Sequence, residues 1–395
     1  MPLPRVLIDA TPLSTPSRTR GIGRLTYDLL VGLEAAREQW CRTLDIVALT
    51  SLSLCGKASV DDDLARAAQT LCSRGSNLGP ASHWARRLGL ARAVHSTSAV
   101  LIHLPELIGV PLLPCRFTAT CHDLIRLAFP RYYLGFSVSK PDGYLFHQPG
   151  TLVYRRREQR RWRCAERIIC VSDKTREALM SELGIPDKKI DVVLSGIDLS
   201  QWVPAQLGDL VASPASGRPY VLYVGDADYR KNISGMFGAL AEVRRSADVE
   251  LVWAGKLAPE VRIEIERRAR VAGVHHAVRF LGFVPDEQLL TLYRNAVALL
   301  FLSRLEGFGL PAVEAMASGC PVIVALDSGT DAITASAALH VAPDDAQRSA
   351  LLIERLMSDV ELRKKHIAMG LDRAKDFDRA RMARGYAASF ERAIG

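Results

Sequence analysis

Short apolar runs alternate with helical patterns along almost the whole chain. In the first half the runs fall at residues 6–10, 45–50, 100–103, 117–121, 167–171 and 191–194. In the second half they fall at 220–224, 249–254, 278–281, 298–302, 321–325 and 339–341. Runs that are continuously apolar suit parallel strands buried on both faces. Between them, apolar residues recur at helical spacing, as at Ile22, Leu25, Leu29 and Leu33, or Ile233, Phe237, Leu240 and Val243. Alternating β and α predicts parallel sheets covered by helices. Residues 204–219, rich in Pro, Gly, Ser and Ala, break the pattern and predict a linker. The expected fold is therefore α/β, with two doubly wound domains over residues 1–205 and 206–375 that face across a cleft. A last helical stretch near 379–393 fits either domain by pattern, and 376–395 is placed with the first.

A chain of 395 residues is long for one core and comfortable for two. Its 48% hydrophobic content and mean hydropathy of +0.07 describe a soluble globular protein. No apolar run approaches the roughly 20 residues that span a bilayer, and the first strand follows the start with no signal-peptide pattern. The eight cysteines are scattered without a Cys-x-x-Cys pair, which argues for a reducing compartment and against a zinc site or disulfide framework. Residues 1–205 hold 27 Lys/Arg against 19 Asp/Glu, and the remainder holds 24 against 24. The net charge of +8 thus lies in the first domain, which favours anionic partners such as phosphates or an acidic lipid surface.

The richest chemical signal is residues 306–321, Glu-Gly-Phe-Gly-Leu-Pro-Ala-Val-Glu-Ala-Met-Ala-Ser-Gly-Cys-Pro. They read as loop, helix and next strand, with Pro311 suited to the helix start and Gly319 to its end. Glu306 falls at the C-terminal end of a strand, where open α/β sheets bind ligands. Glu314 falls about one turn into the helix. It is suited either to two vicinal hydroxyls, as on a ribose, or to the helix's positive end. The run Asp226-Ala-Asp-Tyr-Arg230-Lys231-Asn232 follows another strand, and Asn232 suits a helix N-cap. Arg230 and Lys231 could clamp a diphosphate, or simply be solvated. Gly21-Ile-Gly23 ahead of the first helix could admit a phosphate or be an ordinary turn. His122-Asp123 ends the 117–121 strand, with Asp123 expected to orient the ring or the loop. Asp61-Asp-Asp63 and Asp226-x-Asp228 match a metal-binding pair weakly, so no metal site is expected. Arg155-Arg-Arg-x-x-Arg-Arg-Trp-Arg163 surrounds a helix without making one stripe. It fits a solvated or paired helix, or attraction to anionic headgroups. The aromatic residues 132–146 could border an acceptor site. The arginines lack interleaved stacking aromatics or a reader motif, so no nucleic-acid role is expected.

Glu306 to Glu314 with Gly-Phe-Gly-Leu-Pro between them resembles the E-x7-E signature of the family 4 glycosyltransferases. These are retaining enzymes of the GT-B fold, built from two Rossmann-like domains, that use nucleotide sugars. Further landmarks are similar in order: Gly21-Ile-Gly-Arg24, His122-Asp-Leu124 with Phe129-Pro130, Val171-Ser172, Gly196-Ile-Asp198, Arg230-Lys-Asn232 and Leu292-Tyr-Arg-Asn-Ala296. The resemblance implies that Arg230 and Lys231 hold the diphosphate and stabilise it as it leaves. It implies that Glu314 binds the ribose hydroxyls, and that Glu306, His122 and the Phe308, Gly309 and Leu310 amides hold the donor sugar. Gly21 and Gly23 would lie near the phosphates. The chain departs from the family at Ser195 and at Asp327-Ser-Gly-Thr-Asp-Ala-Ile333, where a Pro-Glu pair is common.

The implied enzyme is a retaining hexosyltransferase, moving a mannose- or rhamnose-like sugar to a saccharide acceptor in bacterial surface polysaccharide synthesis. Its donor is a nucleotide sugar, GDP-linked in preference to UDP-linked, with no metal or other cofactor required. Its acceptor is an oligosaccharide or polyprenyl-diphosphate-linked saccharide. Its expected place is cytoplasmic, peripheral at the inner face of the plasma membrane. A phosphorylase of related architecture and a non-catalytic sugar-nucleotide-binding subunit are the alternatives.

Overall fold

The structure, a computed structural model, describes residues 2–14, 21–49, 83–107, 113–133, 149–204 and 217–395. The described strands are β1 (Arg5–Asp9), β2 (Asp45–Leu49), β3 (Leu101–Leu104), β4 (Arg116–Cys121), β5 (Arg167–Cys170) and β6 (Ile190–Val192). They continue with β7 (Tyr220–Val224), β8 (Glu250–Ala254), β9 (Val278–Gly282), β10 (Ala298–Phe301), β11 (Val322–Ala325) and β12 (Leu339–Val341). Each apolar run of the sequence has become one strand, and the pairings between them are parallel.

Residues 1–196 with 378–395 form one compact unit, and residues 197–377 form the other. The expected division was 1–205 with 376–395, and 206–375. Most of the expected linker, residues 205–216, lies outside the described residues. So do residues 61–63 and the aromatic stretch beyond Tyr133.

The first unit carries a sheet in the order β2-β1-β3-β4-β5-β6. Leu7 pairs with Ile102 and Ala119 with Ile168, all four without exposure. Burying the leucine and isoleucine side chains contributes roughly 1.5–3 kcal/mol each. Gly21 and Gly23 are not in a loop before the first helix; they are the first and third residues of the helix Gly21–Ala35. The closing helix Arg379–Ile394 packs on it at glycine-lined seats. A Cβ on Gly32 would lie 2.4 Å from the Arg379 carbonyl oxygen, and one on Gly196 would lie 2.5 Å from Arg379 Cα.

The same helix reaches a buried polar network in β3 and β4. His103 Nδ1 is 2.9 Å from Thr118 Oγ1, its Nε2 is 3.2 Å from Thr120 Oγ1, and Thr120 Oγ1 is 2.9 Å from the Tyr386 hydroxyl. Burial, and then the neighbouring His122, lower the His103 pKa from 6.5 to about 3. The unfolded chain therefore binds a proton near pH 6.5 that the folded chain refuses. The stability this neutral ring supplies is present above about pH 6.5 and is lost as pH falls from there toward 3. Melting temperatures between pH 7 and pH 5 should fall, and His103→Gln should flatten that slope. An unchanged slope in the variant would rule the site out as its source.

The second unit carries a sheet in the order β12-β11-β10-β7-β8-β9. The chain builds outward from β7 through β8 to β9, then returns to the other side of β7 with β10. The reversal leaves a crevice at the C-terminal ends of β7 and β10, the point where such sheets bind ligands. The loops that follow these two strands contain Arg230, Lys231, Glu306 and the glycine loop.

Candidate functional site

The loop after β7 closes as a tight 3-10 turn, Tyr229–Lys231, and each end has a cap. Asp228 accepts the Arg230 N–H at 3.3 Å. Asp228 thus shapes the loop that carries Arg230 and Lys231. Asn232 sits at φ 54°, a left-handed conformation that Asn tolerates. Its Oδ1 accepts from Gly235 N–H at 3.2 Å to cap the helix Ile233–Val243, as the sequence suggested. Its Nδ2 donates to the Pro343 carbonyl at 2.6 Å.

Arg230 and Lys231 leave that turn pointing at one carboxylate. Arg230 Nη1 donates to Glu306 Oε2, and Lys231 Nζ donates to Glu306 Oε1 at 2.7 Å. Lys231 also lies 5.1 Å from the centre of the Phe301 ring. Lys231 and Glu306 are both buried. Burial pushes the Glu306 carboxyl up, but Lys231 and Arg230 together outweigh it and hold the group below its ordinary value. Glu306 is therefore an anion at working pH.

Arg304 ties the cluster together. Its N–H donates to the Arg230 carbonyl at 2.7 Å. Its guanidinium grips Asp344 at 2.8 and 2.6 Å and reaches Asn232 Oδ1 at 3.0 Å. Sequence reading passed over Arg304, because an arginine two residues before a glycine loop looks like a surface charge. Its partners come from two separate loops, after β7 and after β12.

Phe308, Gly309 and Leu310 stand at the start of the helix Leu310–Ala317, whose first amides have no acceptor within the helix. Leu310 is its first residue and Pro311 its second. Gly309 takes φ 95°, and a Cβ there would meet Thr330 Oγ1 at 2.6 Å. Gly319, at φ 75°, follows the helix end. Glu314 is the fifth helical residue and is buried, beyond the first turn in which the dipole acts most strongly. It accepts a hydrogen bond from the Tyr293 hydroxyl at 3.1 Å. Sequence reading did not single out Tyr293 for chemistry.

In the first unit, His122 follows β4, half-buried. Its Nε2 is 2.8 Å from the Pro105 carbonyl, which can only accept. The proton is therefore on Nε2, and Nδ1 is the lone-pair nitrogen. Burial lowers the His122 pKa against the opposing pull of the Pro105 carbonyl, Asp123 and Glu106, so the ring is neutral. Asp123 does not orient the ring: its Oδ1 accepts the Ile125 N–H at 3.1 Å and shapes the loop. Cys121 is buried in β4, and burial raises its thiol pKa, as an inert structural cysteine requires.

Much of the basic helix Pro149–Arg163 is paired within its own unit. Arg155 Nε, Gln159 Nε2 and Arg163 Nη2 donate to the carbonyls of Glu182, Leu183 and Gly184 at 2.7, 2.8 and 3.4 Å. Cations there complement the negative end of the helix Asp173–Leu183. Arg161 pairs with the buried Glu158, while Arg156, Arg157 and Arg160 are exposed. Among the described residues no helix is long and apolar enough to cross a membrane.

Residues 59–201 match the family model described as Glycosyltransferase Family 4, and residues 211–371 match the model described as Glycosyl transferases group 1. The O-antigen chain mannosyltransferase B of Escherichia coli is 26% identical, over 94% of this chain and 96% of its own. Among solved structures, the sucrose-phosphate synthase of Thermosynechococcus elongatus aligns with a TM-score of 0.74 at 19% identity, covering 98% of each chain. Anabaena HepE in complex with UDP-glucose aligns with a TM-score of 0.70 at 17% identity, over 98% of this chain and 99% of its own. At such identities the solved structures speak to the fold alone.

Proposed function

This chain belongs to the family 4 glycosyltransferases and has their GT-B fold, and we propose that it transfers a hexose with retention of anomeric configuration. The donor is a nucleoside diphosphate sugar, and the acceptor is a lipid-linked saccharide of a surface polysaccharide. One observation carries the reading: Arg230, Lys231 and Glu306 gather in the loops after β7 and β10, at the switch point of the second sheet.

When the bond between the sugar C1 and the diphosphate oxygen breaks, its electron pair stays on that oxygen. Fixed cations beside the developing charge stabilise the transition state more than the ground state. Arg230 and Lys231 suit this task, and with them a divalent ion is not required. The acceptor oxygen bonds to C1 on the face the diphosphate leaves, and its proton passes to the departing phosphate. A glycoside and a nucleoside diphosphate result. Glu306, held ionised, accepts hydrogen bonds from sugar hydroxyls and aims the two cations; it is not a proton donor. Glu314 takes the ribose hydroxyls. In the first unit, His122 Nδ1 is suited to accept from a hydroxyl, and the amides at Gly21 and Gly23 to approach a phosphate.

Mannose as the transferred sugar is favoured by the name of the Escherichia coli relative, which matches along nearly its whole length, and GDP is our reading of the carrier. The basic first domain suits an acceptor held at an anionic membrane on the cytoplasmic side. The test is a panel of GDP-mannose and UDP-hexoses with a polyprenyl-diphosphate-linked saccharide, reading product configuration by NMR. GDP release with an α-linked product is expected. Faster release of UDP would overturn the donor assignment, and inversion would overturn the mechanism.

The two carboxylates should separate kinetically. Glu314→Ala should raise donor KM about tenfold with a smaller change in kcat, since it removes binding to a part of the donor that does not react. Glu306→Ala should lower kcat about a hundredfold or more. Equal effects on both parameters in the two variants would contradict the division of roles.

A further inference from the structure

We infer that Tyr293 is a positioning residue for the donor: its hydroxyl sets the orientation of Glu314, so that the ribose meets a preset acceptor. The inference rests on the ribose role proposed for Glu314.

The tyrosine lies in the helix Asp286–Asn295 and has no exposure. A carboxylate only accepts, so the 3.1 Å contact is Tyr293 O–H donating to Glu314 Oε2. A buried carboxylate requires such donors. The phenol is also an unusually rigid one. A tyrosine has two side-chain torsions where Glu has three, and this ring is wedged edge-on against Trp202, centroids 5.7 Å apart at 75°. Its helix is fastened from several directions. The Tyr220 hydroxyl donates to the Leu292 carbonyl at 2.8 Å, and Arg294 donates to the Val203 and Pro204 carbonyls at 3.0 and 3.3 Å. Gln201 donates to Asp286 at 3.0 Å at the helix start.

Residues 201–204 thus strap the helix that aims the phenol, and the phenol aims the carboxylate. Fixing a flexible acceptor before the ligand arrives removes an ordering cost from binding. With Oε2 committed to the phenol, the carboxylate plane is set and both ribose hydroxyls must approach it in one register.

Isothermal titration tests this with GDP and UDP and their 2′-deoxy forms, on the unmodified protein, Tyr293→Phe and Glu314→Ala. For whichever base binds, the unmodified protein should prefer the ribonucleotide. Tyr293→Phe should weaken the ribonucleotide about tenfold and the deoxynucleotide much less, narrowing the ratio of the two affinities. In turnover, its donor KM should rise by more than its kcat falls. Each ratio is taken within one protein, so a loss of folded material does not move it. A ratio in Tyr293→Phe equal to the unmodified protein's, with a collapsed ratio in Glu314→Ala, would overturn the role of Tyr293 alone. An unchanged ratio in Glu314→Ala would remove the ribose assignment itself, and this inference with it.

Discussion

Lys231→Ala should lower kcat by about 10²–10³-fold, the cost of removing one fixed donor from a site where charge develops. The ammonium is buried, 2.7 Å from Glu306 Oε1 and beside the Phe301 ring. Alanine removes the cation, and Arg230 remains as a charged partner of Glu306. The protein should therefore fold, with stability reduced by roughly 1–3 kcal/mol.

A second effect accompanies the first. Glu306 has a lowered pKa in which burial is outweighed by Lys231 and Arg230. Its contribution to stability is present above the ordinary carboxylate range and is lost as pH falls through the depressed folded value. Without Lys231 the folded value rises, so acid unfolding should begin at higher pH. Timed release of nucleoside diphosphate, together with acid melts, measures both. A kcat within threefold of the unmodified enzyme would show that Lys231 does not face the leaving group.

Gly255→Ala should produce the largest loss of stability. A Cβ at this position would lie 1.9 Å from the Gly225 carbonyl oxygen and 2.8 Å from its carbon. That carbonyl also accepts the Trp253 indole N–H at 3.0 Å, so it cannot turn aside without breaking the bond. Overpacking against backbone costs about 1–3 kcal/mol or more. For a domain of this size that lowers the melting temperature by roughly 5–10 °C. Because Gly225 opens the loop that carries Arg230 and Lys231, donor KM should rise as well. A thermal melt and a donor titration read the two effects. An unchanged melting temperature would mean that the ends of β7 and β8 are looser than this packing.

The strands were legible because parallel strands buried on both faces must be continuously apolar, and each such run forms one strand of a parallel sheet. Boundaries shifted by a residue or so, as at Gly282, which extends β9 past the apolar run. The placement of 230–232 and 306–314 in loops after strands was legible because strand ends, caps and glycine loops are local signals. The partners were not. That Arg230 and Lys231 converge on Glu306 depends on β10 lying beside β7, a neighbour relation set by sheet order. Tyr293 meets Glu314 through the register of two helices, and no periodicity encodes that. His122 was found by its position, but the Pro105 carbonyl that fixes its tautomer lies on a neighbouring strand's loop. Gly21 and Gly23 begin the helix rather than precede it, since in a first turn glycine's helix penalty is small.

The return of residues 378–395 to the first unit makes the second unit an insertion in the first. The chain enters it at Ile197 and leaves it at Phe377. On a ribosome, every residue of the second unit emerges before the helix that fills the glycine-lined seats at Gly32 and Gly196. The first unit to be started is therefore the last to receive all its residues. The buried ring of His103 waits through the whole of that interval for the Tyr386 hydroxyl that joins its network.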